Sequence, residues 1–282
     1  MSMNRIARNL LPLTALCVVF VSCGSYLNVL KTGDNERIYQ MALQMFQEKQ
    51  NDKAIALFTN IERYYEGTAR DDTIRFFTAV SQFRRGDFFT SGELLEAFRR
   101  NFIGRTTFME EAEFLIAMGS YFESPDPRLD QTMTQRAIVQ FHEFLARYPG
   151  TTKYEDIMEY LGELQQKLYD KSFQNAKVYY DIGNYPSAIH AFKLALAEYP
   201  ESNRREEILY YLTKSAYILA ENSIESLQRG RYLEMIDHYY DLISDFPETK
   251  YLDESRGMYD KVMILIADPQ EGVEEVEVIE TE

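Results

Sequence analysis

The chain has 282 residues, of which 27% are charged and 45% hydrophobic, and its formal net charge at pH 7 is −15. This balance is enough to bury a core, so it excludes a chain that is disordered throughout. The acidity argues against nucleic acid as a general partner, because phosphate binding needs a basic surface. Glycine and proline are few, at 13 and 8 residues, and continuous β-rich runs are absent, so the predicted secondary structure is helical.

Residues 1–22 are predicted to be a lipoprotein signal peptide. Arg5 and Arg8 give it a positive start, and an apolar stretch follows from Leu10 to Val21. This stretch is too short to span a bilayer as a helix, but its length is typical of a signal peptide.

The segment ends in Val21-Ser22-Cys23-Gly24, which resembles the bacterial lipobox. In that motif a small residue precedes the cysteine that is lipidated and becomes the first residue. We therefore predict a covalent lipid on Cys23, although Phe20 stands where leucine is usual. Cys17 is less suited, because Leu16 before it is too large for the pattern. The alternative is an ordinary secreted protein in which Cys23 is unmodified.

Helical repeats follow the predicted signal peptide. The first repeat has its turn at Asn51-Asp52, where the usual glycine is missing, and the second has its turn at Gly86-Asp87-Phe88. The predicted domains are the signal peptide (1–22), a lipidated tether (23–34), a TPR-like repeat region (35–267) and an acidic tail (268–282).

The third repeat is interrupted by prolines. A helix is predicted over about 109–122, after which Pro125 and Pro127 cannot continue a helix and favour extended residues before them. The second helix of this repeat resumes near Ala137 and ends at Tyr148-Pro149.

The fourth repeat, at about 153–200, has a long first helix and the clearest turn. Gly183 suits the left-handed residue that ends a helix, and Pro186 suits the first turn of the next one. After the turn, residues three or four positions apart share one helical face: Ala188, Phe192 and Ala195. The Gly-Asn-Tyr turn, the spaced Ala-Phe-Ala and the closing proline together resemble the tetratricopeptide (TPR) repeat.

The fifth repeat, at about 202–247, is predicted to turn at Gly230-Arg231-Tyr232. A last helix at about 252–266 is expected to cap the array, since the end of a repeat array needs its apolar face covered. The tail from Asp268 to Glu282 has no Lys or Arg and six Glu, which predicts a disordered acidic extension. We expect it to solubilise the protein or to compete for a partner's basic surface.

Three repeats close on the same short pattern. Tyr148-Pro149, Tyr199-Pro200 and Phe246-Pro247 end second helices, and a Ser or Thr two residues later can cap the next helix. From these repeats we predict an all-α fold, a right-handed TPR-like solenoid of about five helix-turn-helix repeats.

The order of these elements resembles the BamD family, also called YfiO or ComL. The likeness covers about residues 23–250. The most family-like segment begins at Ser124-Pro125-Asp126-Pro127, includes Phe141 and Tyr148-Pro149, and ends at Thr152-Lys153-Tyr154. Members of that family are outer-membrane lipoproteins of the β-barrel assembly machinery.

The resemblance implies a non-enzymatic scaffold on the periplasmic face of the outer membrane of a Gram-negative bacterium, anchored by the lipid on Cys23. Its implied partners are the POTRA domains of the barrel-forming insertase and unfolded outer-membrane proteins. No cofactor is expected beyond the covalent lipid.

Aromatic residues recur at equivalent positions on three first helices. In a TPR array the first helix of each repeat lines the concave surface, so these rings form a predicted partner-binding groove. The alternative is that long first helices pack the rings against the neighbouring repeat. The residues are Tyr39 and Phe46, Phe76 and Phe83, and Phe173 and Tyr180.

Catalysis and metal binding have little support. His142, His190 and His238 lie on second helices with no cysteine nearby, and no glycine-rich phosphate loop occurs. We therefore expect neither an enzyme nor a metal site. Two alternatives to barrel assembly are another periplasmic TPR adaptor lipoprotein, coordinating envelope or peptidoglycan machinery, and a surface glycan-binding lipoprotein. The absence of Trp counts against glycan binding, while the 21 Tyr keep it open.

Overall fold

The computed structural model describes residues 25–104 and 106–267, and every regular element within these ranges is an α-helix. The predicted signal peptide, Cys23 and the acidic tail lie outside the described residues. In chain order the helices are α1 (Ser25–Thr32), α2 (Asn35–Gln47), α3 (Asn51–Tyr65), α4 (Asp71–Arg84), α5 (Phe88–Phe102), α6 (Met109–Glu123), α7 (Thr132–Arg147), α8 (Tyr154–Asp181), α9 (Tyr185–Glu198), α10 (Arg205–Glu221), α11 (Glu225–Asp245) and α12 (Leu252–Ala267).

Helices α2 to α11 form five consecutive helix-turn-helix pairs, which confirms the predicted all-α, TPR-like fold. Polar residues satisfy exposed backbone amides where several of these helices begin, as N-caps do. Asp34 accepts hydrogen bonds from two backbone amides of α2, Asp87 from one of α5, and Asn184 from one of α9. Helix α1 lies within the segment predicted to be a tether.

Three of the turns within repeats contain a residue in the left-handed conformation. Gly86 has a φ of 83° and Gly183 a φ of 77°, which glycine adopts at no steric cost. Where the first repeat lacks a glycine, Lys49 takes the same conformation, with a φ of 57°. The first turn therefore lies at Glu48–Gln50, and the predicted turn residues Asn51-Asp52 instead begin α3.

The predicted turn at Gly230-Arg231-Tyr232 is wrong. Helix α11 is continuous through this segment, and the turn lies at Asn222–Ile224. There Asn222 ends α10 without a glycine, because its backbone amide and its side-chain amide both donate to the Ile218 carbonyl, at 3.1 and 2.8 Å. The glycine is tolerated inside α11 because the buried Tyr232 and Met235, two and five residues later, hold the helix against the core.

Four linkers between repeats share one hydrogen-bonding pattern. Each starts with an aromatic residue whose carbonyl accepts from the amide of a Thr or Ser further on. The hydroxyl of that residue accepts from the amide two positions later, at 3.1 to 3.3 Å. The hydroxyl thus forms a turn before the next helix and does not cap the helix directly. These residues are Thr68, Thr151, Ser202 and Thr249.

The proline-containing insertion lies between α6 and α7, as predicted. Its two ends are tied together by buried hydroxyls, since Ser124 Oγ and Thr134 Oγ1 are 2.7 Å apart. Thr134 also hydrogen-bonds the Gln131 side chain at 2.7 Å.

The described chain packs as two compact units, and α8 contributes to both. Unit 1 comprises residues 25–125 and Asp130–Leu164. Its core side chains are fully buried, and each such side chain contributes roughly 1.5–3 kcal/mol. They include Leu57, Phe58, Phe98, Phe141 and Leu164. Helix α1 packs against the first hairpin through Tyr26, Val29 and Leu30.

Unit 2 comprises Asp126–Leu129 and residues 165–267. Its core joins α9, α10, α11 and α12 through Phe192, Leu212, Met235 and Val262, all almost fully buried. The predicted last helix is confirmed as α12, which packs on the α10–α11 pair through Met258 and Val262.

Candidate binding faces

The six aromatic residues predicted to line a groove all lie on first helices, namely α2, α4 and α8. They are less exposed than a binding groove requires. Phe76 is only 4% exposed, and Tyr39 and Phe173 are each 8% exposed. Phe46, Phe83 and Tyr180 are half-buried.

Rings of the following repeat bury most of these residues. Phe46 stacks on Phe77 at a centroid distance of 4.1 Å, and Phe76 stacks on Phe108 at 4.6 Å. In unit 2, Tyr211 lies 4.9 Å from Tyr180 and 6.1 Å from Phe173. The rings therefore pack between consecutive repeats, and their role in partner binding stays a prediction. Removing the Phe76 ring would remove core packing, so this residue is a poor probe of binding.

Basic side chains cover several of the same rings. The Arg70 guanidinium lies 4.4 Å from the Tyr39 centroid, and that of Arg84 lies 4.2 Å from Phe46. Arg204 lies 5.5 Å from Phe173. Each cation comes from the repeat after the ring that it covers, so these cation–π contacts join consecutive repeats. A partner approaching the first helices would meet these cations before the rings.

Acidic side chains in turn fix several of the cations. Arg70 pairs with Glu36, and the Arg204 Nε lies 2.7 Å from Asp170 Oδ1. The hydrogen bond from Arg70 holds the pKa of Glu36 below its usual range. These pairs are separated by 34 residues in sequence, so local spacing could not reveal them.

Unit 2 carries a connected group of lysines and tyrosines that we call the lysine–tyrosine face. It consists of Lys177, Tyr180, Tyr211, Lys214 and Tyr251, with Tyr210 beneath. Its residues come from α8, from α10 and from the linker position directly before α12. Lys177 Nζ lies 5.2 Å from the Tyr180 centroid and 4.8 Å from that of Tyr211, and it pairs with Asp181.

Lys214 is the most constrained cation of this face. Its Nζ lies 2.9 Å from the Tyr210 hydroxyl and 2.7 Å from Glu254 Oε1. Tyr210 donates to Glu254 at 2.7 Å and stacks on Tyr251 at 3.9 Å. Burial raises the pKa of Tyr210 to about 12. Burial alone would lower the pKa of Lys214, but Glu254 and Tyr210 raise it, so the ammonium is charged at neutral pH.

Sequence reasoning did not find the lysine–tyrosine face as a unit. Tyr210 and Lys214 are spaced for one helical face, which is a weak local signal. Their contacts to Tyr251 and Glu254 join positions about 40 residues apart, and only the packing of α12 on α10 brings them together.

Unit 1 carries an aromatic cluster at the ends of α4, α5 and α6. Phe83 lies 5.1 Å from Phe88, and Phe88 stacks on Phe122 at 4.8 Å. Phe122 is 50% exposed and the neighbouring Phe89 is 71% exposed. Phe83 is one of the six residues predicted to line the groove. Through Phe83, this cluster connects the predicted groove to the exposed ring of Phe122.

Comparison with protein-family models decides the family. The model for YfiO, described as an outer membrane lipoprotein, matches residues 31–230. This chain belongs to the YfiO family. Membership confirms the resemblance to BamD and places the protein among outer membrane lipoproteins. YfiO proteins are typically non-catalytic scaffolds or adaptors.

Two solved TPR structures are distantly similar to this YfiO-family chain. One is the TPR2AB domain of yeast Sti1 in a complex with pHSP90, at 14% identity and a TM-score of 0.37, covering 81% of this chain and 98% of that one. The other is the TPR domain of P58(IPK), at 14% identity and a TM-score of 0.39, covering 87% of this chain and 69% of that one. A search of curated proteins finds no match.

Within the described part of this YfiO-family chain, no three metal-ligating side chains cluster. None of the helices in that part is both long and apolar enough to cross a membrane. His142 and His190 are exposed, while His238 is buried on α11.

Proposed function

We propose that this YfiO-family protein is a non-enzymatic scaffold of the β-barrel assembly machinery. It binds the POTRA region of the insertase and engages unfolded outer-membrane proteins during their insertion. The family match carries the proposal. The matched residues, 31–230, include helical hairpins of both units, and each unit is assigned one of the two binding roles. The lipid on Cys23 anchors the protein on the periplasmic face of the outer membrane.

We assign insertase binding to the lysine–tyrosine face of unit 2. Half-buried tyrosines bring a large contact area with little loss of conformational entropy, and they are enriched at interface hot spots. Lys177 and Lys214 are held in place by Asp181 and Glu254, so the face is ordered before a partner arrives. Such ordering lowers the entropic cost of binding.

We assign unfolded substrates to the aromatic cluster of unit 1. Phe122 is the exposed ring of this cluster and packs against Phe83 and Phe88, and the exposed Phe89 follows Phe88 in the chain. Exposed rings grouped in this way suit the apolar side chains of an unfolded chain, which are not yet buried.

The first experiment is affinity purification of the tagged lipoprotein from detergent-solubilised envelopes, followed by mass spectrometry. We expect a barrel insertase with POTRA domains in near-equal amount. Recovery of cell-wall or glycan-uptake proteins without an insertase would contradict the proposal and favour another adaptor role.

The second experiment tests the assigned face with charge reversal. Lys177→Glu and Lys214→Glu together should lower recovery of the insertase by about tenfold or more, since hot-spot substitutions cost ~2 kcal/mol or more. Lys193→Glu, on the second helix α9, is the matched control and should leave recovery unchanged. Circular dichroism of each variant checks that the helices are intact. Equal recovery by the double variant and wild type would exclude this face as the insertase site.

A further inference from the structure

Exposed apolar side chains gather at one end of unit 2, beside the point where the described chain ends. We call this surface the terminal edge. Ile224 is 69% exposed and Leu227 is 47% exposed, both at the start of α11. At the end of α12, Ile264 is 71% exposed and Leu265 is 55% exposed. The edge also includes Arg229 and Arg231.

Hydrogen bonds place the first turns of α11 beside the last turn of α12. The Arg229 guanidinium donates to the Ile266 carbonyl at 3.0 Å, so the first turns of α11 lie against the last turn of α12. Arg231 donates to the Ser223 hydroxyl, and Gln228 donates to the Ser223 carbonyl at 3.0 Å. The α10–α11 turn is therefore fixed beside the exit of the chain from α12.

The two arginines of the terminal edge lack acidic partners. Neither Arg229 nor Arg231 forms an ion pair with a carboxylate of the described residues, since their partners are a carbonyl and a hydroxyl. Elsewhere in unit 2, Arg204 pairs with Asp170 at 2.7 Å and Arg205 with Asp245 at 2.6 Å. In a chain with a net charge of −15, two arginines without carboxylates favour an acidic occupant.

The chain supplies such an occupant directly after Ala267. Residues 268–282 contain six Glu and one Asp, with no Lys or Arg, and the apolar residues among them are Val273, Val276, Val278 and Ile279. An extended chain spans at most about 3.3–3.6 Å per residue, so these fifteen residues reach every part of the terminal edge.

We propose that the acidic segment 268–282 binds the terminal edge of its own chain. Its carboxylates pair with Arg229 and Arg231, and its valines and isoleucine cover Ile224 and Leu227. Covalent attachment gives the segment a local concentration in the millimolar range, so weak contacts suffice for occupancy. The edge is then closed to acidic segments of other proteins. This proposal is independent of the proposed function, because it concerns neither the lysine–tyrosine face nor the aromatic cluster.

Hydrogen–deuterium exchange on the full chain tests the proposal. The first amides of a helix lie outside its regular i→i−4 hydrogen bonds, so their exchange is sensitive to what covers them. In α11 the amide of Leu227 donates to the Ile224 carbonyl at 2.9 Å. The test variant changes the six Glu of the tail to Gln and leaves the edge itself intact. We expect exchange at residues 224–228 to speed up by about threefold or more in this variant and in wild type at 0.5 M NaCl, because salt screens the ion pairs.

Two arginine variants make the test specific. Arg229→Gln should speed exchange at residues 224–228 as the tail variant does. Arg256→Gln is the matched control, because Arg256 is exposed on α12 and makes no ion pair within the described residues, and it should change nothing there. Arg229→Gln also removes the bond to Ile266, so the tail variant remains the deciding one.

A labelled peptide of residues 268–282 completes the experiment. It should bind the tail variant, whose edge is free, and bind wild type at least about tenfold more weakly, because the attached segment competes. Equal exchange in wild type and the tail variant would overturn the proposal. So would a peptide that binds both proteins equally, since the edge would then take acidic segments from outside.

Discussion

His238 is a buried residue whose environment disfavours its charged form. It is 8% exposed, and neither ring nitrogen has a hydrogen-bond partner within the described residues. Burial lowers its pKa, and Lys193 on α9 lowers it further, while Asp241 and Glu234 on its own helix act in the opposite direction. The nearest carboxylate oxygen, on Asp241, is 3.8 Å from Nδ1, which is too far for a strong hydrogen bond.

His238 therefore makes stability depend on pH. Because its pKa in the folded state lies below that of the unfolded chain, about 6.5, the unfolded state binds the proton more readily. The contribution of His238 to the free energy of unfolding is full above that pH and falls as the pH drops below it. In urea unfolding, the free energy of unfolding should be lower at pH 5.5 than at pH 8. The decrease should be smaller in His238→Leu than in wild type.

His190→Leu is the control for this prediction, since His190 is exposed on α9. It should lose as much stability as wild type between the two pH values. An undiminished pH dependence in His238→Leu would show that the acid sensitivity comes from other groups.

At the scale of elements, two glycines of α8 and its turn have opposite roles. Gly162 lies within α8 in an exposed position, and a Cβ there would meet no atom within 4 Å. Gly183 ends the helix with a φ of 77°, and its amide donates to the Tyr180 carbonyl at 3.0 Å. Glycine therefore lowers the stability of the helix at position 162, whereas at position 183 it is needed for the left-handed conformation.

Alanine at each position should shift stability in opposite directions. Gly162→Ala should raise the free energy of unfolding by about 0.5–1 kcal/mol, because alanine has less backbone freedom to lose. Gly183→Ala should lower it by about 1 kcal/mol or more, because a side chain disfavours the left-handed conformation. Denaturant unfolding of the two variants measures both shifts, and a loss of stability in Gly162→Ala would contradict the assignment of open space beside it.

The linkers explain why repeats of different lengths join in the same way. Thr151 donates its hydroxyl to Glu110 at 2.8 Å, and Thr249 donates to Glu206 at 2.6 Å. In both cases the acceptor lies in the first turn of the preceding first helix. The threonine therefore shapes its own linker and also fixes the following helix against the previous repeat.

At the scale of the whole molecule, membership of an outer membrane lipoprotein family makes the anchor the feature that determines location. We predict that Cys23→Ser abolishes covalent lipid attachment and releases the protein from the membrane fraction. A single acyl chain gives only weak membrane binding, so stable anchoring needs the fully lipidated cysteine. Metabolic labelling with a fatty acid and fractionation of envelopes measure both effects.

Cys17→Ser is the matched control, because Cys17 lies in the predicted apolar stretch, where Leu16 makes it the weaker site. This variant should be lipidated and membrane-bound as wild type is. Loss of lipid in Cys17→Ser together with retained lipid in Cys23→Ser would reverse the assignment.

The sequence by itself determined the helical repeats, the position of most turns and the family. Gly86 and Gly183 mark turns because few other residues adopt a positive φ cheaply. The prolines after α6 mark the insertion because they cannot continue a helix. These signals depend on the backbone conformations that single residues allow, so they can be recognised from the sequence alone.

Only the tertiary structure decided how the repeats contact one another. Gly230 resembles a turn residue, yet it lies inside α11, because packing of α11 on the core outweighs the local cost of a glycine. The spacing that placed Phe76 on a first helix could not show that Phe108 would cover it. The partners of Tyr39, Tyr210 and Arg229 lie about 30 to 45 residues away in sequence. Such contacts depend on the linkers and on the packing of neighbouring helices, and no local pattern encodes them.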